Sequence, residues 1–104
     1  MKKITDLARV IRSKNAGPYE LTLDMIFKTE EIYNAIKEKK LINMEKISSI
    51  YKIDQSIIKG IVYFDPANAV KITMKRELPS GAYGDNDIYG AQQHAPLLNL
   101  EFDI

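Results

Sequence analysis

The chain has no cysteine, a single histidine among 104 residues, and nowhere an apolar run of the length a membrane span needs. Without cysteine there is no disulfide framework, thiolate nucleophile or zinc-thiolate site, so oxygen and imidazole are the metal ligands left. This fits a reducing compartment. A spanning helix needs roughly 18–20 apolar residues, and at the start Met1-Lys2-Lys3 leads into Ile4-Thr5-Asp6, where the aspartate interrupts any apolar run. Neither export nor membrane insertion is expected, and the sequence predicts a cytoplasmic protein. An excess of charge of one sign is lacking too: fifteen basic and fourteen acidic residues leave +1. The summed positive field that draws a protein to nucleic acid or anionic lipid is therefore absent.

What is there reads as one domain over residues 1–104. The apolar content of 45% and charged content of 28% are those of a globular chain, with no tract polar enough to force disorder. At this length a folded chain buries roughly 60–70% of the surface it exposes when unfolded, enough for one core.

Ile4, Leu7, Ala8 and Ile11 fit a helical spacing and also a strand from Ile4 to Ile11, and the pattern leaves the choice open. Asn15-Ala16-Gly17-Pro18 should break any regular element, and Glu20-Leu21-Thr22-Leu23-Asp24-Met25 alternates as a strand with one wet face. Thr29 is placed to cap a helix with Glu30 and Glu31 in its first turn and Ile32, Ala35 and Ile36 toward the core. A second helix follows an Asn43 cap and is expected to bury Met44, Ile47, Ile50 and Tyr51. Asp54 can cap a short turn before Ile57–Phe64, whose continuous apolar character predicts a central strand covered on both faces. After the Asp65-Pro66-Ala67-Asn68 turn, Val70, Ile72 and Met74 alternate inward along a hairpin partner. The pattern stops after Arg76, Pro79–Asp85 reads as an irregular loop, and Leu98–Phe102 reads as a closing strand. Strands flanking a helical middle predict an α+β fold, an antiparallel or mixed sheet with helices on one face.

Two polar segments could carry chemistry. Arg12, Ser13, Lys14 and Asn15 gather a guanidinium, an ammonium, a hydroxyl and an amide beside Gly17, donors suited to a carboxylate or phosphate. A solvated turn accounts for the same residues. The second segment, Gly84–Pro96, holds Gln92, Gln93 and His94, the last being the side chain whose ordinary pKa, roughly 6.5, suits proton transfer near neutrality. A hydrogen-bonded structural loop is the competing reading, and it is favoured. Asp85-Asn86-Asp87-Ile88-Tyr89-Gly90 imitates the start of a calcium loop. It fails because Tyr89 stands where an oxygen ligand is usual and Pro96 where a bidentate glutamate belongs. Asp65 could join Asp85 and Asp87 around a hard cation, but turn and cap roles explain all three, so neither metal nor cofactor is expected. Lys59-Gly60-Ile61-Val62-Tyr63-Phe64 echoes an RNA-binding strand, with isoleucine at the first stacking position; RNA binding is rejected.

Three blocks in order, Asp6–Asp24 with Arg12-Ser13-Lys14-Asn15-Ala16-Gly17-Pro18-Tyr19 at its centre, Gly60–Ala67, and Gly84–Leu98, closely resemble the domain-of-unknown-function family numbered 4387 over essentially the whole chain. The first and last blocks are more distantly similar to the carboxy-terminal ferredoxin-like domain of acyclic-terpene-utilisation (AtuA-like) proteins. There an Arg-Ser-Gly-Asp-Lys-Gly segment stands in the place of Arg12–Gly17, and Lys14-Asn15-Ala16 is the departure here. That resemblance implies a ferredoxin-like fold, a strand in the first segment, and a larger AtuA-like protein as partner in the catabolism of organic acids, terpenoids or coenzyme A thioesters. The small chain is then an accessory subunit. An autonomous binder or enzyme for an anionic small molecule, using Arg12, Lys14 and His94, and a structural homo-oligomerisation module are the alternatives.

Overall fold

A short helix and a strand share the opening segment whose periodicity fits both. The computed structural model describes residues 1–17, 19–75 and 95–104. In chain order its elements are β1 (Lys2–Lys3), α1 (Ile4–Leu7), β2 (Ala8–Gly17), β3 (Glu20–Phe27), α2 (Glu30–Glu38), α3 (Met44–Tyr51), β4 (Ile58–Phe64), β5 (Ala69–Lys75) and β6 (Glu101–Phe102). Short 3₁₀ turns occupy Gln55–Ile57, Asp65–Ala67 and Ala95–Asn99. The fold is α+β, as the sequence predicts.

Four strands form an antiparallel sheet in the order β2-β3-β5-β4. The chain runs from β3 through both helices to β4, and β5 returns between them. This is the split β-α-β arrangement found in ferredoxin-like sheets, and here β2, which precedes the unit, holds the other edge. The alternation expected for β3 sets the layers: Leu21, Leu23, Met25 and Phe27 are buried on one face together with Val70, Ile72 and Met74 of β5, but the opposite face of β3 is not the wet one expected, since Thr22 and Asp24 are buried there too. Tyr33 and Ile36 of α2 and Ile47 of α3 belong to the same core cluster, so both helices cover that face. Each fully buried aliphatic or aromatic side chain contributes about 1.5–3 kcal/mol relative to exposure.

The caps are where the sequence puts them. Thr29 Oγ1 accepts the Ile32 N–H at 3.1 Å, Asn43 Oδ1 accepts the Lys46 N–H at 2.8 Å, and Asp54 Oδ1 accepts the Ser56 N–H at 2.9 Å. Each satisfies a backbone donor that a helix start leaves without an intrahelical partner.

Four expectations are corrected. Among the described residues the apolar run over β4 forms an edge strand rather than the central one; Ile61 and Tyr63 face the core, while Val62 and Phe64 point the other way and are 56% and 46% exposed. Its hydrophobicity reflects a half-covered strand with apolar residues on its outer side. The break expected at Asn15-Ala16-Gly17-Pro18 comes late: β2 continues through Asn15 with a register shift between Asn15 and Gly17, and ends at Gly17, paired with Glu20. Gly17 adopts φ 142°, a backbone region that side chains rarely occupy, and this lets the hairpin turn begin there. Met44 is 38% exposed although it shares a helix face with Ile47 three residues on, because it sits at the very start of α3, at the end of that stripe. Finally, Leu98–Phe102 is divided: Leu98 and Asn99 end a 3₁₀ turn, and Glu101 and Phe102 pair as β6, with β1. Leu100 and Phe102 are buried within it, as is Leu97 just before it, whereas Leu98 is exposed. The expected Pro79–Asp85 loop lies outside the described residues.

Candidate functional site

Strand pleating decides how the first polar segment can act. Successive side chains of β2 point to opposite faces, so Arg12 and Lys14 emerge on the face away from the helices, whereas Ser13 and Asn15 turn to the helix side. The four residues therefore do not converge as one anion-binding loop. Arg12 and Lys14 instead join residues from neighbouring strands.

The register places Arg12 of β2 opposite Asp24 of β3, Asp24 opposite Lys71 of β5, and Lys71 opposite Val62 of β4. One residue pair along, Lys14, Thr22, Thr73 and Gly60 form a parallel row. A cation, an anion and a second cation thus lie side by side across three strands. Directly opposed residues of this kind have Cβ atoms about 4.5–5.5 Å apart.

Asp24 is buried, with its side chain 4% exposed, and its Oδ2 accepts a hydrogen bond from Arg12 Nε at 3.3 Å. Its Oδ1 is the one buried side-chain oxygen among the described residues that has no hydrogen-bond partner. The Arg12 side chain is 58% exposed, and a guanidinium carries five N–H donors, so one bond to Asp24 leaves donors for another group. Among the described residues neither Lys14 nor Lys71 has an ion-pair partner. At the end of the sheet Lys59 Nζ pairs with Glu20 Oε1 at 2.6 Å.

Asp65 has a structural role. It opens the turn after β4, where its Oδ1 accepts the Tyr33 hydroxyl and the Lys37 ammonium, the latter at 2.8 Å, and so ties α2 to the end of β4. Lys37 chiefly, and then Tyr33, hold the Asp65 carboxyl below the ordinary carboxylate range. Burial, reinforced by the neighbouring Asp65, pushes the Tyr33 hydroxyl well above the ordinary phenol range. Nearby, Tyr63 donates to the Ile42 carbonyl at 2.7 Å, and its ring lies 6.3 Å from that of Tyr33. Beside this cluster a cleft of about 440 Å³ opens between the α2–α3 connection and β4, walled by Ile42, Met44, Ile61 and Tyr63, with Lys37, Lys40 and Asn43 completing the lining.

Gln92, Gln93 and His94, together with Asp85, Asp87 and Tyr89, lie outside the described residues. The sequence reading picked out Arg12 and Lys14 and missed Asp24 and Lys71. The signal for Asp24 was present in the Glu20–Met25 alternation, which puts it on the polar face of its strand. The pairing with Arg12 and Lys71 depends on register, which no local pattern displays.

These features describe a small α+β domain with one helix-covered sheet face and one charged face. The family described as Domain of unknown function (DUF4387) matches residues 4–101, and the chain belongs to that family. No curated protein and no solved structure matches the chain. Among the described residues no helix is long and apolar enough to cross a membrane.

Proposed function

We propose that this chain is an accessory subunit that docks on a larger AtuA-like protein in the catabolism of organic acids, terpenoids or acyl coenzyme A thioesters. The observation that carries the reading is the outer side of β4. Among the described residues β4 is an edge of the sheet, and Val62 and Phe64 are exposed on it beside the charged row of Arg12, Asp24 and Lys71. Exposed edges and adjoining apolar side chains are surfaces on which another chain can dock. The similarity of the first and last sequence blocks to the carboxy-terminal domain of AtuA-like proteins supplies the partner's identity. The test is co-expression of the tagged chain with the AtuA-like protein of its own source. A stoichiometric complex that survives gel filtration, and that Val62→Lys disrupts, supports the reading; independent elution of the two proteins refutes it.

A second reading has its own support. Arg12 and Lys14 project from the same face of β2, with Lys71 two strands away, so three cations face an approaching anion. In this reading the chain binds an anionic small molecule, with His94 available for proton transfer. Ligand-induced stabilisation that Arg12→Ala abolishes is the expected result; its absence over a panel of organic anions counts against it.

A further inference from the structure

We infer that Asp24, Arg12, Lys14 and Lys71 form a recognition site for a small hydroxycarboxylate, in which Asp24 Oδ1 accepts the ligand's hydroxyl and the flanking cations hold its carboxylate. The inference rests on the anionic-ligand reading and names the ligand class for it.

The argument starts from the unpaired oxygen. A buried acceptor without a partner costs about 1–3 kcal/mol, more when it is charged, so each such atom in a folded protein calls for an explanation. Asp24 stands in the middle of three strands and, among the described residues, has one side-chain bond, 3.3 Å long, to one of its two oxygens. Lys71 is its directly opposed neighbour and has a stem long enough to reach it, yet makes no ion pair with it. The free Oδ1 is therefore not explained by a shortage of cations nearby. Oδ1 is closed to solvent as it stands, so a donor from outside the chain satisfies it when the Arg12 side chain, more than half exposed and held to Asp24 by a 3.3 Å bond, turns outward to meet the ligand's carboxylate.

The surroundings select what carries that donor. Three cations flank one carboxylate, so the patch is net positive and favours a ligand with negative charge. The single buried acceptor requires that the same ligand also bear a hydrogen-bond donor. A plain carboxylate meets the first condition but leaves Oδ1 unpaired and adds like-charge repulsion to it. An amino acid meets the second, but its own ammonium is repelled by the cations around it. A carboxylate with an adjacent hydroxyl meets both. Thr22 and Thr73, in the next row and opposite one another, add two hydroxyls for further oxygens of the ligand. Two strand spacings of about 4.8 Å make the patch about 10 Å wide, the scale of a small organic acid.

The test is calorimetric titration of the isolated chain with matched pairs: malate against succinate, lactate against propionate, and aspartate as the amino counterpart of malate. Malate is expected to bind at least tenfold tighter than succinate or aspartate, lactate tighter than propionate, and Asp24→Asn should reduce the hydroxyl preference to less than twofold. Lys71→Met should weaken both members of a pair by a similar factor and leave the preference intact. If Asp24→Asn does not fold, the backbone amide resonances of Leu23, Asp24 and Lys71 decide: malate must shift them. Equal affinity within both pairs, no binding by any probe, retention of the preference in Asp24→Asn, or resonance shifts confined to other parts of the chain overturns the inference. Because the titration uses the chain without a partner, failure to bind hydroxy acids leaves the docking reading standing, and failure to find a partner leaves this site standing.

Discussion

The hydroxyl of Tyr33, in the buried face of α2, donates to Asp65 at the far end of β4, joining residues thirty-two positions apart. The bond fastens the helical layer to β4, which among the described residues is an edge strand. Tyr33→Phe keeps the ring and removes the bond, and the expected loss is about 1 kcal/mol. For a domain of this size that lowers the thermal midpoint by about 4–8 °C. Urea unfolding of the two proteins checks it; an unchanged midpoint would show that the bond contributes nothing net.

Alkaline pH should unfold the protein through its buried phenols. Burial raises Tyr33, Tyr51 and Tyr63 above the ordinary phenol value, Asp65 adding to the effect at Tyr33. Folding thus favours the neutral hydroxyl. The corresponding stability is fully present below the unfolded-state pKa of about 10 and declines as pH rises above it. Denaturant midpoints measured from pH 8 to 11 should fall above pH 10, with the tyrosinate absorbance of these residues appearing together with unfolding. Tyrosinate formation by all of them in the still-folded protein would contradict this. The acid limb has the opposite sign. The depressed Asp65 and Asp54 carboxyls contribute stability above an unfolded-state value of about 3.9, and that stability is lost as pH falls through their folded-state values. Lys37→Met should shallow the acid limb.

The layer order was readable from the sequence, and the lateral order was not. Alternation in Glu20–Met25 and Val70–Lys75 fixed which side chains of β3 and β5 meet the helices, and the capping chemistry of Thr29, Asn43 and Asp54 placed the helix starts and the turn before β4. Those are local properties. Which strand is central depends on pairing between distant segments, and an apolar run such as Ile58–Phe64 looks the same whether another strand or solvent covers its outer side. The same limit applies to the site. Arg12 and Lys14 stood out by residue type, but Asp24 gains its interest from being buried beside Arg12 and opposite Lys71. Tyr33, one residue past Ile32, was passed over because an aromatic hydroxyl gives no sequence sign that a partner waits beyond β4.

Arg12→Ala tests the energetic link across β2 and β3. It removes a hydrogen bond to a buried carboxylate, although the exposure of the Arg12 side chain lets solvent screen the pair. The expected destabilisation is about 1–2 kcal/mol, below the roughly 3–5 kcal/mol of a wholly buried pair. In an Asp24→Asn background the same substitution should cost less than about 0.5 kcal/mol, since there is no longer a charge to strand. A double-mutant cycle by urea denaturation measures the difference. Additive losses would mean that the 3.3 Å contact contributes no coupling and that Arg12 acts through packing of its stem.

The outer side of β4 separates folding from docking. Val62 and Phe64 are about half exposed and face away from the helices, so neither fills the core. Replacing either with lysine should change stability by no more than about 0.5 kcal/mol, the usual range for surface sites. A lysine on an edge strand also discourages pairing with another chain. If the subunit reading holds, Val62→Lys and Phe64→Lys leave the far-UV circular dichroism and unfolding midpoint in place while lowering recovery of the AtuA-like partner at least tenfold. A control substitution on the helical side, Glu38→Lys, should leave recovery unchanged. Full recovery with both β4 variants would move the interface off this face, and a matching loss in the Glu38→Lys control would show that added positive charge, rather than the β4 surface, governs association.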